Sequence, residues 1–109
     1  MTTRNSKRVC NWICDGILVE YKKVSQQAMN EDHLAQHLFD TCTKSIEFAK
    51  FVNDPVDKEC PDLCDRLIPT ILQNHELKRD LLTPTLNAGA RFEFCGDFDY
   101  SGDGAKRNE

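Results

Sequence analysis

From about residue 7 to residue 29, apolar side chains recur at helical spacing: Cys10, Ile13, Cys14, Ile17, Tyr21, Val24 and Ala28. Steps of three and four hold them on one stripe of a 3.6-residue helix, so the segment predicts an amphipathic helix capped by Asn5 or Ser6. A second stripe, Ala35, Leu38, Phe39, Cys42, Ile46 and Ala49, predicts a helix over 31–52. Asn30 precedes it as an N-cap, and Glu31 and Asp32 suit the positive end of the helix dipole. Phe48, Phe51 and Val52 widen its apolar face. "NDP" at 53–55 stops it, because the residue before a proline avoids helical geometry.

The next stretch, "CPDLCDRLIPTIL", carries Leu63, Cys64, Leu67, Ile68, Ile71 and Leu72 at helical spacing. Pro61 suits a first turn, whereas Pro69 falls in the interior and predicts a kink or a division into two short helices. Asn74 caps a further short helix over 75–82, with Leu77, Leu81 and Leu82 as its apolar face and Pro84 as its stop. The period then changes to two. Phe92, Phe94, Phe98 and Tyr100 in "RFEFCGDFDY" read as an extended aromatic arm over 91–100. "SGDGAKRNE" is polar and predicts a disordered tail over 101–109. The expected fold is therefore mainly α. A small bundle of about four helices occupies 7–90, after a flexible N-terminus at 1–6 and before the arm and tail.

Composition narrows the function classes. A chain of 109 residues is one domain on ordinary priors and can bury a core without staples. A net charge of −4 argues against nucleic acid as a partner, which selects a basic face. The short basic pairs Lys7-Arg8, Lys22-Lys23 and Lys78-Arg79 have no aromatics between them and read as solvated surface. No apolar run reaches membrane-span length, so no membrane partner is expected. "MTTRNSKR" has no apolar core or small-residue cleavage site of a secretory leader, so the expected compartment is the cytoplasm, where thiols stay reduced.

The cysteines carry the most open chemistry. Cys10/Cys14 and Cys60/Cys64 repeat one spacing, CX3C, and are joined in the sequence by Cys42 and Cys95 to make six. Four short-spaced sulfurs form a candidate zinc set, Cys10, Cys14, Cys60 and Cys64, although zinc knuckles usually separate the pair by two residues. His33 and His37 share the i, i+4 spacing but lie about 180° and −140° from Cys42 on the helical wheel, away from the stripe. They read as solvated. The paired CX3C motifs resemble the small helical-hairpin proteins of the mitochondrial intermembrane space. In that family two such motifs on antiparallel helices are joined by two bridges, which implies pairing of Cys10 and Cys14 with Cys60 and Cys64. Here 45 residues and a further helix separate the motifs, and the family's function is not carried over. The reading adopted is the plainest: Cys10, Cys14, Cys42 and Cys64 sit on apolar stripes and are expected as buried thiols. Cys95, beside Gly96, is expected as the exposed thiol.

Two registers of "DFDYSGDG", starting at Asp97 or Asp99, resemble half a calcium loop but lack the glutamate at the twelfth position. A glycine-rich phosphate loop, GxSxG and HExxH are all missing from the sequence, and the chain is read as non-enzymatic. What remains is apolar surface in excess of one stripe per helix. Trp12 and Val19 stand about −140° and −160° from Ile17, a second strip notched by Gly16. With Phe92, Phe94, Phe98 and Tyr100 they form the candidate partner-binding set. The function expected is a small helical regulator or adaptor that binds a protein partner, with a homodimer as one form of it. The alternative is a zinc-binding or thiol/disulfide protein using the CX3C pairs. No cofactor is expected unless zinc fills that second reading.

Overall fold

A computed structural model describes residues 8–27 and 29–102. The described residues form six helices and no strand. They are α1 (Arg8–Ser25), α2 (Glu31–Phe51), α3 (Val56–Glu59), α4 (Leu63–Leu72), α5 (His75–Leu81) and α6 (Asn87–Asp97). The expected flexible N-terminus at 1–6 and all but Ser101 and Gly102 of the expected tail lie outside the described residues.

Local signals in the chain explain most of these boundaries. The Asn30 side chain accepts from the His33 amide at 2.9 Å, and Asn74 accepts from the Leu77 amide at 2.9 Å. Each cap satisfies one of the amides that a helix start leaves without a partner, an effect of about 1 kcal/mol. α2 ends where Asn53 turns left-handed at φ 66°, and Pro55 follows. Asp62, left-handed at φ 53°, separates α3 from α4. α3 precedes the third predicted segment, within which α4 begins at Leu63 and runs through Pro69 as one helix, not divided at the proline. Leu67, Ile68 and Ile71 are all buried around that proline, so packing outweighs the loss of one ladder bond.

The extended arm over 91–100 is overturned. Residues Asn87–Asp97 are helical, and Phe98 just beyond them takes an extended conformation, at φ −63° and ψ 137°. A lone strand would leave its amides and carbonyls without partners, whereas a helix satisfies its own. The same stretch carries a helical period, Asn87, Ala90, Phe94, Cys95 and Phe98, all buried or half-buried. The alternating aromatics mask it.

The helices close a ring around the core rather than forming a four-helix bundle. α1 packs on α2 and α6, α2 on α4, α4 on α5, and α5 on α6, with α3 touching both α1 and α2. Ile13, Ile17, Leu18, Leu38, Leu63, Leu67, Ile71 and Leu81 are fully buried at its centre. Phe48, Phe51 and Val52, expected to extend the core face of α2, stay at the surface instead.

All six cysteines are oxidised, in three bridges: Cys10–Cys60, Cys14–Cys95 and Cys42–Cys64. Their Cα separations are 6.1, 5.8 and 5.8 Å, within the span a disulfide bridges. The expectation of buried free thiols is corrected in one respect: these side chains are buried, but bonded. Where the hairpin-protein resemblance implies two bridges between the CX3C pairs, a single one, Cys10–Cys60, joins them. Cys95, expected as the exposed thiol, is 1% exposed and tied to α1.

Candidate binding face

The seam between α1 and α6 is built by short-range chemistry around one bridge. Cys14 and Cys95 join the helices. Asn11 donates from Nδ2 to the Cys95 carbonyl at 3.1 Å, and the Tyr100 hydroxyl donates to the same carbonyl at 2.7 Å. That carbonyl belongs to the last turn of α6, where the helix offers no amide partner. Arg91 pairs with Asp15 at 2.8 Å and also donates to the Asn87 carboxamide oxygen, while Asn87 Nδ2 donates to the Leu81 carbonyl at 2.6 Å. Buried Asn87 is therefore satisfied on both ends of its amide.

These anchors also set the helix directions. Asn11 meets Cys95 and Asp15 meets Arg91, so α1 and α6 run antiparallel. In an antiparallel pair, advancing 100° past the contact line moves both helices toward the same side. Trp12 and Val19 lie past the Asn11–Asp15 edge in that sense, and Phe92 lies past Arg91 in the same sense. Helical phase thus puts all three on the outer side of one seam. They are 58%, 46% and 82% exposed. Gly16, between Trp12 and Val19 on this face, has open space above it. On the other flank of α1, His37 bonds Glu20 at 2.6 Å, so α2 returns alongside α1. Phe48 is exposed at nearly the same helical phase as His37, on the edge of α2 turned toward α1. Sequence reasoning assigned Phe48 to the core; its 120° offset from Cys42 on the wheel was the available signal.

The other three aromatics of the candidate set face inward. Tyr100 is 5% exposed, and Phe94 and Phe98 are half-buried against the core. Phe94 and Phe98 stack in a tilted pair at 6.0 Å, and Phe98 and Tyr100 at 5.2 Å. Arg66 of α4 fastens them. Its guanidinium lies 5.5 Å from the Phe98 ring centroid and donates to the carbonyls of Asp99 and Tyr100, both at 2.7 Å, and of Pro61. Burial, reinforced by the nearby Asp15 charge, pushes the Tyr100 hydroxyl well above its ordinary pKa of 10.0. Burial and then Glu31 raise Tyr21 in the same direction.

The zinc set does not assemble. Cys10, Cys14 and Cys64 each bond a different partner, Cys60, Cys95 and Cys42, so no thiolate is available from the four. Among the described residues no group of three or more His, Cys, Asp and Glu side chains has the geometry to hold a metal ion. Of the half calcium loop, Asp97 ends α6 and Ser101 donates to Asp99 at 2.8 Å, while its positions beyond Gly102 lie outside the described residues. His33 is exposed as expected, but His37 is half-buried in its bond to Glu20. No helix among the described residues is long and apolar enough to cross a membrane. No protein-family model matches the chain, and neither a curated protein nor a solved structure matches it.

Proposed function

We propose that the chain is a disulfide-stapled helical binding module whose outer α1–α6 face docks a protein partner. The observation that carries this reading is the strip of Trp12, Val19 and Phe92 on one side of a seam made rigid by a bridge and an ion pair. Large aromatics on a rigid helical frame lose little entropy on docking and dominate protein interfaces. Phe94, Phe98 and Tyr100 support that frame from inside. Three bridges with no free thiol support an oxidising compartment as the place of action, in contrast to the cytoplasm expected from the N-terminal residues. A regulator or adaptor role fits the same face.

The test is a W12E/F92E double variant. Both side chains are exposed, so its melting temperature should match the wild type. Wild type and variant are immobilised and exposed to the same extracellular fluid, and wild type alone is followed by sedimentation velocity for self-association. A partner, or a second copy, held by the wild type and lost by the folded variant supports the reading. Identical retention by both proteins would overturn it.

A further inference from the structure

On the side of α6 away from Trp12, a groove of about 510 Å³ opens between α5, α6 and the end of α4. Its floor is apolar: buried Leu77 and half-buried Ala90, Phe94 and Phe98. The volume falls in the range of small-molecule sites, roughly 300–1,000 Å³. Its rim is acidic. Glu76, Asp80, Glu93, Asp97 and Asp99 line it, and among the described residues no basic side chain does.

Two described cations lie beside this rim, and one of them pairs with two of its carboxylates. Arg79 reaches Glu76 at 3.7 Å and Asp80 at 3.5 Å from outside the groove. Arg66 is committed to three carbonyls and the Phe98 ring. Among the described residues no ion pair engages Glu93 or Asp97.

Charge and shape together select an occupant. An anion would be repelled by the rim. A neutral apolar molecule would strip water from carboxylates and offer them nothing in return. A bare polycation would leave the aromatic floor wet. A cation with an apolar body satisfies both, placing its charge on the rim and its hydrocarbon on Phe94 and Phe98, whose ring faces also attract cations.

We propose that this groove binds an organic ammonium ion carrying an apolar aliphatic body. The site is independent of the outer α1–α6 face, and either can fail without the other. The experiment titrates octylammonium into the full chain and follows amide shifts by nuclear magnetic resonance. Shifts should concentrate at residues 74–80 and 90–99. E93Q/D97N, altering two exposed side chains, should weaken binding about fivefold, as for the loss of two surface ion pairs. W12A should leave it unchanged. Octanol and octanoate should bind at least roughly tenfold more weakly, since each lacks the positive charge. Equal binding by octanol, or no effect of E93Q/D97N, would overturn the assignment. So would tighter binding by tetralysine, which would point to a basic polypeptide, or shifts confined to the Trp12 face.

Discussion

Cys14 and Cys95 join the first helix to the last across 81 positions of chain, the longest span of the three bridges. In the chain-entropy account, a bridge stabilises by restricting the unfolded state, and more so as the loop lengthens. Removing this bridge as C14S/C95S should cost about 4.5 kcal/mol, against about 3.4 kcal/mol for C42S/C64S with its 22-residue separation. Chemical denaturation of the two variants checks the order. An equal loss in both would show that native-state contacts, not loop length, set the effect.

Leu18 and Val19 are neighbours in sequence with opposite surroundings. Leu18 is fully buried, while Val19 stands at the outer seam. Leu18→Ala should destabilise by about 2–5 kcal/mol through a cavity in the ring's centre. Val19→Ala should change stability by less than about 0.5 kcal/mol. Thermal unfolding measures both, and a large effect at Val19 would mean that the face is covered within the fold.

Arg66 links α4 to the residues after α6 through a planar fork that a lysine cannot reproduce. Arg66→Ala should cost about 2–3 kcal/mol, the range for hydrogen bonds from a charged donor. Arg66→Lys should recover less than half of it. Hydrogen exchange should quicken first at residues 98–102 in both variants. Uniform quickening through α1 and α2 would instead indicate a global role.

Tyr100 and Tyr21 both hold their protons more tightly folded than unfolded. The unfolded chain releases these protons near pH 10, while the folded chain retains them, so deprotonation favours unfolding. The stabilisation is complete below pH 10 and is lost as pH rises toward the folded-state values. Urea midpoints from pH 8 to 11 should therefore fall on the alkaline side. Tyr100→Phe should flatten that fall to the part due to Tyr21. At neutral pH it should cost about 1 kcal/mol for the bond to the Cys95 carbonyl. An unaltered alkaline slope in Tyr100→Phe would assign the effect elsewhere.

The helices that announce themselves in the sequence are those with a polar cap and a single apolar stripe. Asn30 and Asn74 cap α2 and α5 as their positions suggest, and the buried face of α1 is the stripe from Cys10 to Val24. α6 was illegible for a local reason. Gly89 and Gly96 lower its helix propensity, and Phe92 is exposed, so the alternation of aromatics reflects two different faces of one helix. That error displaced Cys95, and with it the partner of Cys14. The wheel identifies a cysteine as buried but is blind to whether its sulfur is bonded, because both states occupy the same apolar stripe. Trp12 and Val19 stood out as a second strip from phase alone. Phe94, Phe98 and Tyr100 are not separable from Phe92 by local pattern, because Arg66, distant in sequence, draws their end of the chain inward.

The three bridges share a property of connectivity. Each joins a cysteine at or before Cys42 to one at or after Cys60, and none closes within either half. A single backbone cut anywhere between those positions, for example beside exposed Asn53, leaves two polypeptides held by three covalent links. The segment around α3 is therefore dispensable as a tether. A protease could convert the molecule to a two-chain form with the α1–α6 seam and its outer face still assembled, and only reduction would part the halves.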